Sequence, residues 1–379
     1  MDRYFTHLTI LVVILVMSAI YERPIRYNKL CAVEDGSASF YLGPITPWLI
    51  VFGYLSLLAG MRSGMNDTGL YIHSFNNAIP SWEALGNSLH GNIKWIGESS
   101  LTILFKMFIS QDYHVWFLTW AVIESCLFVN VLRRESVSFL DACFFFFASH
   151  LYWNYFSMLR QWMAVAITFW GIRYLCNGKV WKYIFICLIA AVFHFSAIAM
   201  IPLFFLVQGK PWKGKQTAII TIFSVGLLFL SPLMSSLENI TEGTVYDYAI
   251  QAMNAGNGSS IIRAIIAAVP VVLAFAARKD MDSTDPVIDV CVNMSLLNLL
   301  LNILASFTSG LFVIRFSIYT SIYNAILFPY LLNVSYRYRN RKVLKLLFYV
   351  FYFVFYIYQL NYSNAWIYKS DILTFLTNY

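Results

Sequence analysis

Four arginines stand where apolar runs begin or end. Arg62 closes the run before "SGMNDTGLY", Arg160 opens "MLRQWMAVAITFW", Arg263 opens "IIRAIIAAVPVVL" and Arg315 lies just inside "LFVIRFSIYTSIY". A guanidinium keeps its charge at any accessible pH and presents a planar fork of donors that matches phosphate oxygens in pairs. Anion binding is therefore the chemistry these positions offer, with a lipid-linked diphosphate or an anionic phospholipid as fitting ligands. Asp67 follows in the turn-like "NDTGLY", and His194 sits between phenylalanines in "AAVFHFSAIAMIP"; either supplies a base for a hydroxyl. Each has a structural reading beside the functional one: arginines snorkel to headgroups, and a lone histidine is held in a core. Glu98 in "IGESSL" reads equally as an acid that complements a helix N-terminus. Glu124 and Asp141 lie deeper in apolar runs, where burial in a pair is as open as function.

The elements that must position these residues are membrane helices. Of 379 residues, 59% are hydrophobic and 12% charged, against a charged share of about a quarter in soluble domains. Apolar runs lie near 6–20, 41–60, 114–132, 137–157, 159–176, 181–207, 216–236, 260–277, 288–308, 312–333 and 344–361. Runs such as "AIITIFSVGLLFLSPLM" are apolar on all sides, unlike the alternating segments of a β-barrel. The expectation is an all-α, polytopic transmembrane bundle of about 11–12 spans, one integral domain over 1–379 with outward loops at 61–113 and 237–259. The first run, "THLTILVVILVMSAI", lacks a basic leader and reads as a retained span.

The formal charge of +7 does not form one stripe, as a nucleic-acid surface would. The bases instead cluster in junctions such as "SYRYRNRKVLK", "LRRES" and "GKPWKGK", which the positive-inside rule places on the cytoplasmic side. Putting six such junctions together leaves eight of the 26 Lys and Arg residues elsewhere: Arg3, Arg62, Lys94, Lys106, Arg160, Arg263, Arg315 and Lys369. Two conditions follow. The run 99–110 must not cross, and 181–207 must cross twice. At 1.5 Å per residue its roughly 40 Å of helix is too short for two passes of a core about 30 Å thick. A broken-helix hairpin is implied, with its tip near "FHFSA" (193–197), and broken helices at that depth line cavities. The four arginines then share the outer boundary.

No P-loop, HExxH, GxSxG or dinucleotide fingerprint stands in a fitting context. That argues against an ATP-driven pump, a zinc protease and a hydrolase of those classes. Five of the six cysteines lie in or against apolar runs without metal-ligand spacing and read as core packing; no metal or other cofactor is expected.

"RSGMNDTGLYIHSF", "FSMLRQWMAVAI", "AAVFHFSAIAMIPL" and "IRFSIYTSIYNAILFP" occur in this order over residues 50 to 335. The set resembles EpsG-like membrane proteins, relatives of the O-antigen and exopolysaccharide polymerases. The resemblance implies a multi-pass enzyme of the bacterial inner membrane that joins oligosaccharide repeat units carried on undecaprenyl diphosphate. A flippase and a chain-length regulator would be further partners beside membrane lipids, and nucleic acid would not. Positions matching the motifs are Arg62, Asp67 and Tyr71, then Arg160 and Gln161, then His194 and Ser196, then Arg315 and Tyr319. Two departures stand out: Asn66 occupies a place where glycine is expected, and "GESSL" lacks the Pro-Gly that often follows this glutamate. A lipid-linked sugar flippase, and a ligase or acyltransferase of the same glycan, are the alternative activities.

Overall fold

The computed structural model describes residues 7–18, 45–90, 96–228, 260–279, 281, 285–307, 310–335, 341–362 and 367–372. The expected outward loop at 237–259 lies outside them. Regular structure among the described residues is helical, with one isolated antiparallel bridge between Gly64 and Lys369. The chain is an all-α helical membrane protein. Helices Tyr113–Glu135, Pro286–Phe307 and Lys342–Asn361 are long and apolar enough to cross a membrane, and shorter apolar helices accompany them. The chain divides into two compact units, Met1–Phe204 with Phe328–Tyr379, and Phe205–Leu327.

The first unit opens with α1 (His7–Ser18) and α2 (Ile45–Gly60). Three helices, α3 (Thr68–Asn77), α4 (Trp82–Leu89) and α5 (Ile96–Phe108), then fill the loop region expected to face outward. At 13 residues α5 is about 20 Å long, too short to span, as the charge arithmetic requires. Asp112 caps α6 (Tyr113–Glu135) by accepting the His114 N–H at 2.8 Å. Gly60 lets α2 meet α6 almost backbone to backbone; a Cβ there would fall 2.7 Å from Leu118 Cα.

Run 137–157 is not one helix. It is α7 (Phe139–Ala148) and α8 (Leu151–Ser157), parted where the Ser149 hydroxyl donates to Phe146 O at 3.1 Å and accepts the Leu151 N–H at 3.3 Å. Run 159–176 likewise divides into α9 (Leu159–Trp170) and α10 (Ile172–Cys176). All ten residues of α7 are buried, which accounts for its unbroken aromatic and aliphatic content.

The hairpin expected near 181–207 is present. Helix α11 (Val180–Phe193) stops at His194, which is extended (φ −150°, ψ 115°); a 3₁₀ turn (Phe195–Ala199) leads into α12 (Met200–Val207). The chain then doubles back, since the rings of Tyr183 and Phe204 lie 5.7 Å apart. Residues eleven before the break and ten after it thus come side by side.

After α17 (Asn324–Tyr330) and a π turn (Leu331–Ser335), α18 (Arg341–Tyr362) closes the first unit against α7; the intervening second-unit helices are described below. Asp141, an acid in an apolar run, is buried and accepts from Asn333 Nδ2 at 2.6 Å, Lys345 Nζ at 2.9 Å and the Tyr349 hydroxyl. Phe144 stacks on Tyr349 at 4.0 Å between centroids.

In the second unit, α13 (Gly214–Leu228), α14 (Ile261–Ala276) and α16 (Gly310–Ser321) pack on α15 (Pro286–Phe307). Asn293 on α15 donates to Val207 O and Gly209 O, both at 2.9 Å. Of the five cysteines read as core, Cys143, Cys187 and Cys291 are buried, Cys176 is half-buried and Cys126 is exposed.

Candidate functional site

The loop after α2 turns on Arg62, whose side chain folds inward. Its Nη1 donates to Ala59 O at 2.8 Å and its Nε to Thr68 Oγ1 at 3.1 Å, while Cζ lies 4.5 Å from the Phe117 ring centroid. The residue is 1% exposed. Its Nη2 has no hydrogen-bond partner among the described residues. Thr68 passes the contact on, donating to Met65 O at 2.6 Å. Between them Asn66 has φ +46°, a left-handed conformation that glycine and asparagine adopt most readily. That conformation explains the exchange of the expected glycine for Asn66. Asp67 then starts α3, its carbonyl accepting the N–H groups of Leu70 at 3.0 Å and Tyr71 at 3.3 Å.

A segment from the far end of the chain straps this loop. Ser63 N donates to Lys369 O at 2.8 Å, and Lys369 N returns a bond to Gly64 O at 2.8 Å. The Tyr368 hydroxyl reaches Leu58 O at 2.9 Å, the Ser370 hydroxyl reaches Met61 O, and Asp371 accepts from Ser63 Oγ and the Tyr113 hydroxyl.

Below the loop, Phe75 of α3, Phe105 of α5, Trp116, Phe117 and Trp120 of α6, and Leu159 and Met163 of α9 form one buried cluster, with Tyr71 and Phe193 packed against it. Lys106 fixes α3 to α5 by donating to the carbonyls of Phe75, Asn76 and Ala78 at 2.8, 3.2 and 2.6 Å, at the C-terminal end of α3. This apolar base sets the polar groups at its rim. Arg160, one residue beyond Leu159 at the start of α9, pairs with Glu98 at 3.5 Å (Nη1 to Oε2). Its Cζ lies 5.7 Å from the Tyr71 ring centroid, and it bonds the Tyr71 hydroxyl.

Burial pushes the Glu98 carboxyl above its ordinary range, and the Arg160 charge opposes that shift. Burial likewise raises the Tyr71 phenol, against the pull of Arg160. Glu98 Oε1 is buried and has no hydrogen-bond partner among the described residues.

The hairpin joins the same region through glycine. A Cβ on Gly97 would lie 2.1 Å from Val192 O, so the start of α5 meets the end of α11 with no room between them. His194, two residues on, shares a hydrogen bond of 2.6 Å between its Nδ1 and Ser196 Oγ.

The sequence-derived residues therefore divide. Tyr71 and Arg160 come together, with Arg62 and Asp67 close enough to act electrostatically on Tyr71. Gln161 is buried beside Arg160 in the chain, and His194 and Ser196 pair at the hairpin tip. Arg263, half-buried in the first turn of α14, Arg315, exposed on α16, and the buried Tyr319 belong to the second unit. Glu98, left outside the site by the sequence reading, is the ion-pair partner of Arg160. A buried acid in a short apolar helix, directly after a glycine, was the available signal.

Among the described residues no group of three His, Cys, Asp or Glu side chains is arranged to hold a metal ion. No curated protein and no solved structure matches the chain. A model of the EpsG family matches residues 45–373, which contain the loop, the strap, the Arg160 pair and the hairpin. With most of its length covered by that match, the chain belongs to the EpsG family.

Proposed function

We propose that the protein is a glycosyltransferase of polymerase type, joining oligosaccharide repeat units carried on undecaprenyl diphosphate at the outer face of the bacterial inner membrane. Family membership supports a membrane polysaccharide polymerase-like role. The single observation that carries the finer reading is Arg160, held by Tyr71 and Glu98 at the rim of the aromatic cluster.

In this reaction a glycan on lipid diphosphate is the donor and a hydroxyl of a second lipid-linked unit is the acceptor. The leaving group is already activated, so the site must meet the charge on the departing diphosphate and receive one proton. In this reading Arg160 binds the diphosphate with Arg62 as support in the first unit, and Arg315 and Arg263 are the sequence-derived candidates for the same ligand in the second. For Arg62 that support runs through the loop that its buried guanidinium organises. Tyr71, Gln161, Ser196 and Tyr319 contribute contacts to diphosphate or glycan, and Asp67 and His194 are the sequence-derived candidates for the base. The product is an O-antigen, a capsule or an exopolysaccharide.

The broken hairpin at His194 also favours a second reading, a flippase for lipid-linked sugars, because transporters bind substrate at such breaks. The lipid-linked glycans of a deletion strain separate the two. Single repeat units exposed on the outer face support the polymerase; units trapped on the inner face overturn it in favour of the flippase.

A further inference from the structure

Glu98 is more than a counter-ion for Arg160. Its side chain is 4% exposed, and the two groups meet at 3.5 Å, the outer limit of a hydrogen bond. Its second oxygen, Oε1, is buried with no donor among the described residues. Leaving such an acceptor empty carries its desolvation cost uncompensated, and a catalytic role is one explanation of a buried orphan of this kind. A hydroxyl is a donor that such an oxygen accepts. The carboxylate is also fixed at its root: Gly97 is pressed against Val192 O, so α5 has no freedom to slide. The sequence-derived bases are differently placed. Asp67 is half-buried at the start of α3, and His194 Nδ1 is engaged with Ser196.

We propose that Glu98 is the base for the acceptor hydroxyl, and that the donor's diphosphate releases it for that role by drawing Arg160 away. This rests on the polymerase reading above. A long, loose ion pair is one that a diphosphate, with more charge and more oxygens, readily replaces. The acceptor oxygen then forms a bond to the anomeric carbon as the bond from that carbon to the diphosphate oxygen breaks. The electron pair of the broken bond leaves with the diphosphate, whose charge Arg160 meets, and the hydroxyl proton passes to Glu98. Removing Arg160 from Glu98 also removes the interaction that opposes the effect of burial, so the carboxylate becomes a stronger base when the leaving group is seated. Donor binding and base activation are one event.

The test uses the full chain in proteoliposomes, supplied with lipid-linked repeat units purified from a deletion strain. Glu98→Gln is expected to lower kcat by about 10²–10⁴ while the donor KM stays level or falls, because Arg160 no longer has a competitor. A loss of less than about a hundredfold, or a rise in donor KM, overturns the proposal. If the Gln variant does not accumulate, Glu98→Asp decides: its shorter reach is expected to lower kcat at least about tenfold with donor KM unchanged, and any other result overturns the assignment. Arg160→Ala separates the two levels of inference. Normal extension in that variant removes the diphosphate clamp itself, whereas loss of extension there with near-normal Glu98→Gln removes only the base.

Discussion

Gly97 lies so close to Val192 that a single added methyl group would sit 2.1 Å from the carbonyl oxygen. Gly97→Ala must therefore push α5 from the end of α11 and carry Glu98 with it. A destabilisation of about 1–3 kcal/mol is expected for overpacking of this kind, read as a lower melting temperature in detergent. Gly86→Ala, where nothing lies within 4 Å, is the control and should leave the melting temperature unchanged or higher.

Arg160→Ala should abolish chain extension while the protein inserts at normal abundance, with a loss of about 10²–10³ in kcat for one removed donor group. Arg160→Lys should be impaired too, since an ammonium cannot make the planar paired contact. Glycan ladders from complemented deletion strains check both, and normal polymer length would refute the clamp.

Asn66 occupies its left-handed conformation at some cost that glycine does not incur. Asn66→Gly should be neutral or slightly stabilising. Asn66→Val should cost about 1–2 kcal/mol and loosen the loop that carries Asp67 and Tyr71, which limited proteolysis would report as faster cutting between α2 and α3.

Asp141 presents the opposite case, a buried acid with three donors and no part in the site. Lys345→Met leaves it with Asn333 and Tyr349 alone, and breaking one side of a buried pair costs about 3–5 kcal/mol. Lys345→Met with Asp141→Leu removes both charges and should recover much of that loss. Thermal unfolding of the two variants and the double variant measures the coupling; purely additive losses would show that the pair does not act as a unit.

The pH dependence of stability should carry a Glu98 signature. Burial raises its pKa in the folded chain above the ordinary unfolded glutamate value of about 4.3. The stability it contributes is fully present below the unfolded value and is lost as pH rises through the folded one. Glu98→Gln should remove that decline, flattening the melting-temperature profile just above the ordinary carboxylate range. An unchanged profile would show that the carboxyl titrates normally.

Much of this architecture is legible from length and charge. The hairpin at His194 follows from too few residues for two crossings, and the short reach of α5 follows from the basic junctions around it. Tyr71 and Arg160 stand in two separate motifs, and the fold brings the guanidinium carbon of one to 5.7 Å from the ring centroid of the other. Other features have no local signature. The break that separates α7 from α8 depends on the Ser149 hydroxyl, which bonds Phe146 O and the Leu151 N–H and which hydropathy does not register. Arg62 was expected at the boundary with the other arginines, but its inward turn depends on the Phe117 face and the Ala59 carbonyl, set by how α2 meets α6 at Gly60. Glu98 is an acid of the first turn of its helix, as its sequence reads, but its ion pair with Arg160 lies across 62 residues, and spacing along one helix carries no information about such a pair.

The strap gives the site a place in time. Tyr368, Ser370 and Asp371 bond to Leu58, Met61 and Ser63 across 308 to 310 residues of sequence. During synthesis, α2 through α17 leave the ribosome before the segment that clasps the Arg62 loop exists. A nascent chain therefore carries every charged group of the site with its loop still unfastened until the strap, made after all of these helices, arrives.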